Sequence, residues 1–174
     1  MGIIEIIMGI ISNSSSLILD ALDFLFDGTN YFSSIYALDK SEKLKILFGK
    51  IKGYIMIFIG IGIFIWIGYK YFHGWIPNGF TMSIIGVCAL GVNIISTLLI
   101  SKYQDESLDI QAVWLCTRND ALNNVLIIIA GILTVFLNSI YPDILVSFWM
   151  GSLAIFSGIK IVKGVNHICH SHVH

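Results

Sequence analysis

Apolar residues fill this chain in long blocks, broken by short polar intervals. A helix needs about 20 mostly apolar residues to cross a bilayer. Residues 17–38, 46–72, 80–100, 110–137 and 143–165 reach that length, so five full spans are predicted. Before them lies Gly2 to Ile11, apolar but too short to cross alone, counted here as a truncated first helix. At 1.5 Å per residue it reaches only about 15 Å, half of a hydrocarbon core. The expectation is that about ten to fifteen further apolar residues precede Met1 and complete a span.

The polar intervals supply the breaks. Asn13-Ser14-Ser15-Ser16 offers caps for the second helix. Asp39 to Lys43 is a polar turn, Gly74 to Gly79 with Pro77 ends the third span, and Gln104 to Asp109 and Asn138 to Pro142 flank the fifth. No loop is long enough for a soluble domain. Backbone in lipid must satisfy its own hydrogen bonds. The predicted fold is therefore all-α, an integral membrane helical bundle of five full spans plus the truncated first helix. Its membrane domain covers 1–166, and a His-rich tail covers 167–174.

Composition agrees. Charged residues are 12% of the chain and apolar ones 56%, against about 25% charge in a soluble domain. The formal net charge of −1 excludes the basic footprint of a nucleic-acid binder. Cys88, Cys116 and Cys169 are too scattered for a disulfide framework. No Lys or Arg precedes Lys40, so no secretory signal is expected. Lys40, Lys43, Lys45, Lys50 and Lys52 crowd the loop between spans two and three, with Lys102, Lys160 and Lys163 at the same end, while the opposite end has only Lys70. The positive-inside rule then places the Lys-rich loop and the C-terminus in the cytoplasm. The Ile-, Asn- and Lys-rich usage suggests an AT-rich bacterial genome, hence the bacterial inner membrane.

Ionisable residues inside spans are costly and mark function. Asp20, Asp23 and Asp27 follow i, i+3, i+7 and share one helix face. On the fifth span, Cys116 and Asp120 are i, i+4, with Asn123 one turn on. Asp23 and Asp27 lie about 10–16 Å from the outer end of their helix, and Cys116 and Asp120 about as far from the inner end of theirs. Both pairs thus approach the midplane. Three carboxylates and a thiolate suit a divalent transition metal. Without a cation they would repel strongly in low dielectric, so they bind metal, take up protons or pair with a cation such as Arg118. Exchange of metal for protons at one site is the step an antiporter needs. Asp20 alone reads equally well as an interhelical hydrogen-bonding group. Asn119, Asn123 and Asn124 read first as helix–helix contacts, Asn123 also as an accessory to the site. Arg118 points about 200° away from Cys116 and Asp120 and is expected to face the bundle and pair with Asp20 or Glu5.

Ser14-Ser15-Ser16-Leu17-Ile18-Leu19-Asp20-Ala21-Leu22-Asp23-Phe24-Leu25-Phe26-Asp27 and Ala112 to Asn124 together resemble the second and fifth helices of the cation diffusion facilitator family of metal/proton antiporters. The resemblance covers nearly the whole chain and implies the six-helix transmembrane domain of that family. It places the metal ligands at the (H/D)xxxD pair Asp23/Asp27 and at Cys116/Asp120, where Cys116 stands at the family's His position. It also implies a homodimer. Gly49/Gly53, Ser147/Gly151 and Ala154/Gly158 have the spacing of helix-packing motifs, which serve a dimer or one subunit equally. Many family members carry a cytoplasmic domain after the sixth helix; here a tail with His167, Cys169, His170, His172 and His174 follows, a weak metal-binding stretch or a disordered one.

The expected function is export of a divalent cation, Zn²⁺ first and otherwise Cd²⁺, Co²⁺, Fe²⁺ or Mn²⁺, in exchange for protons, with no resident cofactor and no enzymatic activity. One alternative is a degenerate or fragmentary membrane protein without transport. Another is an intramembrane aspartyl protease, which also needs Asp on two helices, but Asp120 follows Arg118-Asn119 where that family has GxGD.

Overall fold

In a computed structural model, which describes residues 1–37, 42–102 and 108–171, the chain is six helices with no strand among the described residues. They are α1 (Gly2–Ile11), α2 (Ser15–Ala37), α3 (Glu42–His73), α4 (Gly79–Ser101), α5 (Leu108–Leu137) and α6 (Tyr141–Ser171). Four of them, α3 to α6, contain stretches long and apolar enough to cross a membrane. Helix α2 has 23 residues, the same as α4, but carries the three aspartates.

Local chemistry sets the helix ends. Asn13 takes φ 54°, a left-handed turn that Asn tolerates, and Ser14 Oγ then caps α2 by accepting the Leu17 N–H at 3.2 Å. Helix α3 stops at Gly74, whose φ of 65° suits a glycine after a helix C-terminus. Asn78 caps α4, its side chain accepting the Thr81 N–H at 3.1 Å. Asn138, at φ 45°, ends α5, and Pro142 fits the first turn of α6. The spans extend beyond their predicted limits where nothing breaks them. Helix α6 runs on to Ser171, through His167, Cys169 and His170, because no Pro or Gly stops it there. The predicted tail therefore begins as helix, while His172 and His174 lie outside the described residues.

The helices associate in pairs: α3 with α6, α4 with α5, and α1 with α2. Glycine makes the first two seams tight. A Cβ on Gly158 would lie 2.6 Å from the Gly53 carbonyl oxygen, and one on Gly60 would lie 2.9 Å from that of Gly151. The small-residue spacings at 53, 151 and 158 thus pack α3 on α6 within one subunit and are not left free for a partner. A Cβ on Gly131 would collide with Ser83 Oγ and sit 2.7 Å from the Gly79 carbonyl oxygen. Gly131→Ala is expected to destabilise the protein by about 1–3 kcal/mol, the range for overpacking, measured as unfolding of purified protein in detergent.

Polarity is arranged for lipid. Ile3, Phe58, Ile65, Leu98, Phe136 and Leu145 are exposed, whereas Glu5, Asp20, Lys70, Asn93, Asn124 and Asp143 are buried. Lys70, expected to flank a span at the surface, is instead fully buried and forms an ion pair with Asp143 at 2.9 Å. Its position near the end of α3 directs its long side chain inward to an acid on α6. That removes it from the surface charge count and leaves the Lys-rich end of the bundle the more distinct.

Candidate metal centre

Helix α2 runs from the end that holds Lys70 and Asp143 toward the Lys-rich end, and α5 runs the opposite way. Between α2, α3, α5 and α6 lies a cavity of about 660 Å³. Asp23 from α2 and Asp120 from α5 both line it, with Asn119 and Asn123 beside them. Both carboxylates are half-buried. Two acids from different helices therefore border the same space. Asp27 and Cys116 lie on α2 and α5, but their side chains fall outside the described part of the structure. Among the described residues no three His, Cys, Asp or Glu side chains gather into a metal-holding group, and these two members of the expected set are not among them.

Asp20 does not line the cavity. It is 5% exposed and sits within electrostatic reach of Glu5, Asp23 and Asp120. Carboxylates on α1, α2 and α5 thus act on it through space without gathering into one cluster. Two buried acceptors, Glu5 Oε2 on α1 and Asn124 Oδ1 on α5, have no hydrogen-bond partner among the described residues. Asn124 is fully buried and uses its amide N–H to bond the Asp120 carbonyl at 3.0 Å, so it braces the turn of α5 that carries Asp120.

Arg118 departs from its expected role. It is exposed, and its guanidinium lies over the Trp114 ring at 5.1 Å. Lys70–Asp143 is the ion pair found among the described residues, so neither Asp20 nor Glu5 is joined to Arg118. The reason is depth and direction. Arg118 is at the start of the apolar part of α5, Thr117–Leu137, where a long side chain reaches the interface along an aromatic face.

Lys52, grouped by position with the loop charges, is a cavity residue. It lines the same space as Asp23 and Asp120, with its ammonium 5.8 Å from the Phe26 ring centre. Its signal was present in the sequence, since it falls inside α3 and not in the turn before it.

The model of the cation efflux transmembrane domain matches residues 1–165. The chain belongs to the cation efflux family. That family consists of metal cation transporters, which accounts for carboxylates in the interior of an otherwise apolar bundle. None of the curated proteins compared with the chain matches it. As a cation efflux domain the chain is an integral membrane protein, and the motif residues of α2 and α5 fall well inside the matched range.

Proposed function

We propose that this cation efflux domain exports a divalent metal ion, Zn²⁺ first, in exchange for protons, through a site built from Asp23, Asp27, Cys116 and Asp120. The observation that carries the reading is the meeting of Asp23 and Asp120 in one cavity. Asp27 and Cys116 stand one turn from them on the same helix faces. A set of three carboxylates and a thiolate offers oxygen and sulfur donors to a borderline-soft cation. In a low-dielectric interior such charges require a balancing cation, so departure of the metal is matched by arrival of protons. Asp20, Asn123 and Asn124 support the ligands and do not bind the ion themselves.

The Lys-rich end faces the cytoplasm in this proposal, in a bacterial inner membrane, and the transporter is a homodimer. The support is the Lys asymmetry and the family resemblance. The α3–α6 glycine seam, being used within the subunit, adds nothing to the dimer.

The reading is tested by Zn²⁺ titration of purified protein in weakly buffered detergent solution. One Zn²⁺ is expected to bind per chain with release of protons, since the ligands must be deprotonated. Zn²⁺ binding that releases no proton would contradict exchange at the site, and absence of binding would contradict the site itself.

A further inference from the structure

The two ends of the cavity are closed differently. Toward the Lys-rich end its lining reaches Lys52 and Ile161. Toward the opposite end lies a buried polar network. Asp143, in the first turn of α6, accepts hydrogen bonds from the backbone N–H groups of Ser15 at 2.9 Å and Ser16 at 3.1 Å. The hydroxyls of Ser14 and Ser16 donate to it at 2.9 and 2.7 Å. Lys70 closes the charge at 2.9 Å and also donates to Ser15 Oγ at 3.2 Å and to the Asn13 carbonyl. One carboxylate thus satisfies orphan N–H groups at the start of α2 while its counter-ion comes from α3.

Beneath this network is an apolar plug. Leu17, Ile63, Ile67 and Met150 belong to one buried cluster, within about two turns inward of Ser14–Ser16, Lys70 and Asp143, and Met150 also lines the cavity. Along α2, plug and network both lie between Asp23 and the far end of the bundle.

We propose that Lys70, Asp143 and the Ser14–Ser16 turn are the outer gate of the transport path. The proposal rests on the transport reading above. The helices α3 and α6 are locked by glycine seams, and α2 belongs to another pair. Movement of α2 away from α3 and α6 would break this network and leave the seams intact. The network suits a contact that must part. A buried ion pair is of little net worth against apolar packing, and water entering from the far face solvates both partners as they separate. A plug made only of apolar side chains gains nothing from that water.

Sided labelling tests the gate. A reporter thiol is introduced by Leu126→Cys, at a cavity-lining residue, with Cys88, Cys116 and Cys169 changed to Ser. A membrane-impermeant maleimide is applied to either face of sealed vesicles. With the native network the reporter reacts from the Lys-rich face. Lys70→Met with Asp143→Asn is expected to raise the rate from the opposite face about tenfold, as a shift toward the outward-open population. An unchanged rate in the folded double variant overturns the gate. If that variant does not fold, Ser14→Ala with Ser16→Ala keeps the ion pair, removes hydroxyl bonds and is expected to raise the rate about threefold, and no change again overturns it. A staple with no gating role would lower stability without moving the sidedness. Labelling needs no metal, and Zn²⁺ transport is measured separately on the chain with its native cysteines: sidedness as expected with no transport by that chain refutes the transport reading, and transport by that chain with sidedness unmoved refutes the gate.

Discussion

Alanine at Asp23 or at Asp120 is expected to reduce Zn²⁺ uptake to the level of protein-free liposomes. The two side chains come from different helices and line one cavity, so each supplies a donor from its own side of that space. Each contributes a negative charge and donor oxygens in a medium where a divalent ion has few other partners. Changes to groups that only orient metal ligands cost about ten- to hundredfold, so loss of a ligand should exceed a hundredfold, roughly. Asp27→Ala is expected to behave alike, because it stands one turn from Asp23 on the same face. Folding should survive, since both cavity carboxylates are half-buried and Ala favours the helix. The check is uptake per folded protein, with gel filtration in detergent as control. Unchanged uptake in a folded variant would remove that residue from the site.

Lys70→Met is expected to have the largest effect on stability. Both partners of Lys70–Asp143 are 0% exposed. Removing one charge leaves the other buried and uncompensated, which costs about 3–5 kcal/mol. Asp143→Asn alone loses the charge and weakens the acceptors for Ser15 and Ser16. With both changes made, no isolated charge remains, so the double variant should lose less than the sum of the singles. Denaturant unfolding of the four proteins in detergent gives that coupling directly. Additive losses would show that the pair does not act as a unit.

Much of this architecture is written in single residues that act locally. Asn13, Gly74, Asn78 and Asn138 mark helix ends by turn and cap chemistry, which depends on few neighbours, and the observed ends follow them. The acids of α2 and α5 are legible because the helical repeat fixes which residues share a face. Contacts between distant helices are another matter. Lys70 near a helix end has the same sequence signature whether its side chain turns outward or inward, and only the arrival of Asp143 from α6 decides it. The cost of charge in lipid favours a buried partner for Arg118, yet at the second residue of the apolar part of α5 that cost is relieved at the interface. The grouping of Asp20 with Glu5 depends on the rotation of α1 against α2, which no spacing within either helix specifies. The small-residue spacings of α3 and α6 fit an inner or an outer interface equally until the two helices are seen face to face.

The most direct test is coupled flux in proteoliposomes. A zinc-sensitive dye is sealed inside, a pH-sensitive dye reports the same lumen, and Zn²⁺ is added outside with an acidic lumen. The account predicts Zn²⁺ entry together with proton exit, both absent when Asp23 and Asp120 are alanine. Zn²⁺ entry with no movement of protons, or entry that persists without the two carboxylates, would contradict it.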